Sequence, residues 1–338
     1  ARFGLCGRPV LLAAVPLLFT NTHQYEIYTG AVNLSYAAVP LALLMAYCLS
    51  WFALDRAWRL AAITALTFLL IFTGFGLFAG LLTPPLLMVE TVQAWRAGEH
   101  RHALLAATAL ALACAAWALF AHGYTFQPAV AGFRFPYEHP AEYVVFVARL
   151  LGHFYGMPLL STAEIVFGLA VAAVLVVICA WNGVRCVLRG VEREPRSVVL
   201  FCLSAFSILF CVNCAVGRVF TGPIAPYSSR YVALLIPAGV AILLQALVLS
   251  QRPPLFWLAL AYGAFLVPAT TFARPYEVWG ANWYSEGRSA WKAEYLRTLD
   301  QAAADKAAHF PIYPGKLDDR LEYLREHRLN LFLPSPGP

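Results

Sequence analysis

The chain reads as an all-α, polytopic helical membrane protein. Of its 338 residues 61% are hydrophobic and only 12% are charged, the mean hydropathy is +0.66, and long apolar runs recur through residues 1–272. A soluble domain carries roughly 25% charged residues, about twice this complement. Backbone in a bilayer core must satisfy its own hydrogen bonds, so apolar runs of about 20 residues read as helices. The expected architecture is about eight transmembrane helices plus a re-entrant segment over 1–272, then an extracytoplasmic, Trp-rich tail over 273–338.

Residues 9–19 are short for a span and contain Pro16. With Arg2 and Arg8 before them they superficially resemble a signal peptide, but no small-x-small cleavage site follows at 20–25. The chain opens Ala1-Arg2-Phe3 instead of with Met, and the expectation is that it is the later portion of a longer protein. NTHQYEIYTG, 21–30, is a polar-aromatic loop in which His23 and Glu26 stand at helical i, i+3 spacing. Residues 31–54 form a span, closed by the basic turn 55–59, and 60–78 form the next. After Pro84-Pro85 the run 86–95 returns to a second basic connector, 96–102, and 103–122 is an Ala/Leu-rich span. Loop 123–143 is too rich in Pro and Gly for a helix. Residues 144–160, with Arg149 and His153, make a weak span and are read as re-entrant. Spans at 164–185, 197–216, 232–250 and 254–272 follow, with the most basic connector at 185–196.

Lys and Arg concentrate in 55–59, 96–102, 185–196 and at Arg252, which places these turns in the cytoplasm. The opposite, extracytoplasmic face then collects loops 21–30, 123–143 and 217–230 and the whole tail. That is the expected working face of a multi-pass protein in the bacterial inner membrane. The tail holds nine Lys/Arg and nine Asp/Glu and reads as a helical hairpin, with helices over about 286–308 and 316–328. Trp279, Trp283 and Trp291 suit a segment at headgroup level.

The net charge of +6 speaks for topology and anionic lipid. No basic block interleaved with aromatics points to nucleic acid. The 8 cysteines lie mostly in apolar runs, where cysteine behaves as a small hydrophobe. Cys211-x-x-Cys214 has no second pair and no nearby histidine, so neither a metal nor a redox role is read from it.

Phosphate-loop, nucleophile-elbow and zinc-protease motifs are absent, and no cofactor is expected. What remains is loop 217–231, GRVFTGPIAPYSSRY, between two apolar runs. Arg218 and Arg230 stand at its two lips. Two guanidiniums on one short loop make a mouth suited to a phosphate or diphosphate headgroup, although both also read as interfacial anchors beside Tyr227 and Tyr231 in an aromatic belt. Glu26 is the candidate catalytic base, able to deprotonate an acceptor hydroxyl while the arginines neutralise a leaving phosphate. His23, Tyr231 and Glu138 are candidate acceptor-binding residues.

Gly217-Arg218, Gly222 and Ser229-Arg230-Tyr231 opening an apolar helix resemble a pattern in bacterial envelope proteins of the GT-C glycosyltransferase type, including O-antigen glucosyltransferase and polymerase-like members. THQYEIYTG and the tail stretch LEYLREHRLNLF are similar to the same group. The resemblance implies transfer of a sugar from a polyprenyl-phosphate donor to an envelope glycan or lipid on the outer face, with Arg218 and Arg230 holding the carrier phosphate. Such enzymes carry an acidic motif in the first outer loop of an N-terminal helical module, whereas this chain has no Asp in an early outer loop. Either that module lies upstream, or the chain is a non-catalytic assembly subunit that binds membrane-protein partners. A transporter is the third reading, and scarce intramembrane acids speak against a proton-coupled pump.

Overall fold

The structure, a computed structural model, describes residues 14–24, 31–125, 133–250, 253–272, 274–310 and 317–333. The chain divides into two compact units, Ala1–Phe272 and Ala273–Pro338. The described residues of both are α-helical, with no strand.

The first unit contains α1 (Ala14–Phe19), α2 (Ala31–Ala53), α3 (Arg56–Ile71), α4 (Leu77–Arg96), α5 (His100–Ala121), α6 (Ala141–Phe154), α7 (Thr162–Arg189), α8 (Pro195–Arg218), α9 (Ser229–Leu234), α10 (Ile236–Leu249) and α11 (Pro253–Thr271). Among the described residues six helices are long and apolar enough to cross a membrane, or up to seven if a bent pair counts as one span. The expected all-α, polytopic architecture is borne out, with six or seven such helices among the described residues against about eight expected, and one of the expected spans, 60–78, forms a shorter helix. Helix α3 stops at Ile71 before the Thr73-Gly74-Phe75-Gly76 turn, so it rises only about 24 Å against a hydrocarbon core of about 30 Å. Helix α6 is shorter still.

Pro84-Pro85 was expected to interrupt the chain, yet α4 runs through both. Proline at 84 has no N–H for the carbonyl of Gly80. The indole Nε1–H of Trp117 on α5 donates to that carbonyl instead, at 3.2 Å. A neighbouring helix thus satisfies the group that proline frees. Pro237 has the opposite outcome: the run 232–250 breaks at Leu235, and the proline stands in the first turn of a new helix, leaving α9 and α10 as two segments.

Helix α8 is the axis of this unit. Its membrane-length window is 72% buried, against 28% for α5 and α7, so it is enclosed while they face outward. Phe206 and Phe210 on α8 are fully buried and meet Phe78 and Phe75 edge to face, with ring centroids 6.3 and 5.3 Å apart. Helix α7 lies against α6 and α8. Gly168 makes the α6 contact: a Cβ there would stand 1.8 Å from the carbonyl oxygen of Ala148.

The three basic connectors meet at one end of the unit. Arg56 pairs with Glu99 and Glu192, and Arg59 with Glu90 and Glu192. Arg185 pairs with Glu194 just before α8 begins. Helix α7 carries Arg185 at this end and Glu164 at the other, about 30 Å away at 1.5 Å per residue. That span matches a bilayer core.

The second unit contains α12 (Pro275–Thr298), α13 (Gln301–Ala308) and α14 (Asp318–Glu326). One helix was expected over 286–308. The structure instead begins at Pro275, where proline suits a first turn, and breaks at Leu299, which takes a left-handed conformation. Asp300 then caps α13, its Oδ1 accepting from the Ala302 N–H at 2.8 Å. Trp291, Tyr295, Ala304, Ala308 and Leu321 form the core of this unit, and the Trp291 indole donates to Asp305 at 2.7 Å.

Candidate functional site

Opposite the basic connectors, α6 lies across the first turns of α7, and the loop between α8 and α9 closes over both. Glu164 begins α7 and is fully buried. Ser161 caps that helix by accepting from the Glu164 N–H at 3.0 Å. The Glu164 carboxylate turns inward, where its Oε2 accepts from the Tyr227 hydroxyl at 2.7 Å and from the Leu160 N–H at 3.1 Å. Gly152 on α6 leaves room for it, because a Cβ there would meet Glu164 Cγ at 2.6 Å.

His153 is 1% exposed. Its ring stands 5.5 Å from Tyr227 and 5.7 Å from His23, centroid to centroid. The segment after α1 is fastened to this group at several points. Asn21 Nδ2 donates to the Phe154 carbonyl at 3.0 Å, and its Oδ1 accepts from the His23 N–H at 2.9 Å. His23 Nε2 lies 2.9 Å from the Ala269 carbonyl on α11, which makes that nitrogen the protonated one. Asn21, His23, His153, Glu164 and Tyr227 thus form a buried polar floor.

Beside the floor opens a cavity of about 320 Å³. Val145 and Phe146 of α6 form one wall, and Val219, Gly222, Pro223 and Pro226 of the α8–α9 loop form the other. Its charged groups are Glu142 and Arg149, nearly two helical turns apart on α6. Among the described residues Arg149 makes no hydrogen bond and no ion pair, and its Nε is buried. An unpaired guanidinium beside an apolar wall is costly unless an anion or water meets it. The field of Arg149 also reaches Tyr227.

Arg218 ends α8 and is half-buried, one residue before the cavity wall at Val219. Arg230 is exposed; its Nε donates to Ser228 Oγ at 3.0 Å and its guanidinium lies 5.8 Å from the Tyr231 ring centroid. The two arginines stand at the two ends of the α8–α9 loop, Arg218 closing α8 and Arg230 in the first turn of α9.

Glu26 lies outside the described residues. His23 belongs to the buried floor. Tyr231 is 6% exposed and packs edge-on against Phe210, 6.1 Å away. Glu138 is exposed and paired with Arg134 at 2.7 Å. Sequence reasoning passed over Glu142 and Glu164 and placed Arg149 and His153 within a weak, re-entrant span. A signal for Glu164 existed: Ser161-x-x-Glu164 before an apolar run is a capping-box pattern. Its inward partner, Tyr227, is 63 positions away, and nothing local announces that contact.

No protein-family model, no curated protein and no solved structure matches this chain.

Proposed function

We propose that the chain is a membrane-embedded transferase for a lipid-linked phosphate donor. In this reading it moves a sugar from a polyprenyl-phosphate carrier to an acceptor hydroxyl of an envelope glycan or lipid, at the outer face of a bacterial inner membrane. The observation that carries it is Arg149, a guanidinium that among the described residues has no hydrogen-bond or ion-pair partner, in a cavity that also holds the carboxylate of Glu142. A phosphate dianion or diester suits such a guanidinium, which bonds it bidentately and offsets its charge. Arg218 and Arg230 near the cavity rim supply further positive field.

The chemistry follows from the two charges. Glu142 takes the proton of the acceptor hydroxyl, whose oxygen attacks the anomeric carbon of the sugar. The bond from that carbon to the phosphate oxygen breaks, and the phosphate leaves with the electron pair, its charge met by Arg149. Glu26 remains a second candidate base. The buried floor holds α6 and the α8–α9 loop at a fixed separation.

The test is transfer in vesicles containing the purified full chain and a panel of polyprenyl-phosphate-linked sugars. Arg149→Ala should lower turnover by about 100-fold or more, the loss typical of one charge-stabilising donor. Glu142→Gln should lower it comparably without unfolding the protein. If every donor is inert with the wild-type chain, and the chain purifies with a stoichiometric membrane partner, the assembly-subunit reading replaces this one.

A further inference from the structure

At the end of the bundle opposite the cavity, three side chains distant in sequence converge. Glu90 comes from the last turns of α4, His102 from the first turn of α5, and Glu192 from the turn before α8. His102 Nε2 lies 3.0 Å from Glu90 Oε1 and 3.2 Å from Glu192 Oε1. Among the described residues this is the one group of three His, Cys, Asp or Glu whose ligand atoms lie within 4.8 Å of one another. Ligands about 2.0–2.1 Å from a tetrahedral zinc stand about 3.3 Å apart, so the two separations are close to those of a coordination sphere.

Three further features bear on that geometry. Glu90 is 2% exposed, yet among the described residues its Oε2 has no partner. Arg59 sends one Nη to both ligand oxygens, at 2.5 Å from Glu90 and 2.8 Å from Glu192, so a cation is already drawn to that point. The Arg59 Nε is likewise buried, with no partner among the described residues. Glu192 meanwhile spends its other oxygen on Arg56, at 2.7 Å, which fixes the carboxylate and leaves Oε1 directed at the group.

We propose that Glu90, His102 and Glu192 form a binding site for one divalent transition metal of the zinc class. One imidazole nitrogen and two carboxylate oxygens are the borderline donor set such ions prefer over magnesium or calcium. Arg59 holds the same oxygens when the metal is absent. On metal binding its guanidinium gives up the shared oxygens and turns to Glu90 Oε2, so the two unpartnered atoms satisfy each other. The site joins α4, α5 and the connector before α8, and it does not depend on the transferase reading.

The experiment uses the purified full chain in detergent, stripped with chelator and titrated with Zn²⁺ or Co²⁺ alone. The expected result is about one metal per chain, with the visible absorption of four- or five-coordinate Co²⁺. His102→Gln and Glu192→Gln should each weaken binding at least tenfold. Glu192 is partly exposed at the rim, so its variant tests the site even if substitution at 102 unfolds the chain. Arg59→Gln should tighten binding, because it removes the competing cation. Metal uptake equal in wild type and in either ligand variant would overturn the site, as would a Co²⁺ spectrum that stays octahedral.

Discussion

Burial pushes the Tyr227 phenol up to about 12, and its hydrogen bond to Glu164 works in the same direction. A neutral phenol is therefore favoured by the folded chain. The resulting stability is fully present below about pH 10, the unfolded value, and is lost as pH rises toward about 12. Tyr227→Phe should remove that alkaline slope from a thermal-unfolding series. It should also cost about 1–3 kcal/mol near neutrality, because Glu164 loses its shortest donor while still buried. A Tyr227→Phe protein as stable as wild type, with the same alkaline slope, would mean the phenol does not hold the floor together. At this scale the sequence was a poor guide. Arg149 stood out as an arginine in a weak apolar segment, but its lack of a partner depends on what the distant 219–226 loop brings beside it. Likewise His102 and Glu90 are separated from Glu192 by some ninety positions or more, and spacing rules for metal ligands look only at near neighbours.

Helices were far easier to read, because apolar length and basic punctuation are local properties. Residues 164–185 and 197–216 correspond closely to α7 and α8. Misreadings arose where a neighbour altered a local rule, as when Trp117 satisfies the carbonyl that Pro84 leaves free. Two glycines offer a matched test of packing at this scale. Gly168 and Gly217 are both helical, but a Cβ at 168 meets the Ala148 backbone at 1.8 Å whereas one at 217 meets nothing within 4 Å. Gly168→Ala should force α6 from α7 and cost about 1–3 kcal/mol. Gly217→Ala should be neutral or stabilising by up to about 1 kcal/mol, from helix propensity alone. Equal melting temperatures for the two variants would show that α6 and α7 are not in backbone contact.

For the membrane unit as a whole, α7 sets two polar ends about 30 Å apart. The basic end holds Arg56, Arg59, Arg185 and their acidic partners; the other holds the buried floor and the Arg149 cavity. That segregation was visible in the distribution of Lys and Arg, whereas the cavity emerges only when α6 and the α8–α9 loop are folded together. On the proposed reading a lipid carrier would seat its headgroup in this cavity and leave its chain among the apolar helices. The most direct measurement is therefore binding of a polyprenyl phosphate to the full chain in lipid nanodiscs, wild type against Arg149→Ala. Saturable binding to wild type, weakened at least tenfold by Arg149→Ala at an unchanged melting temperature, is the result expected of a donor phosphate seated on Arg149. Equal binding by a folded Arg149→Ala protein would contradict it.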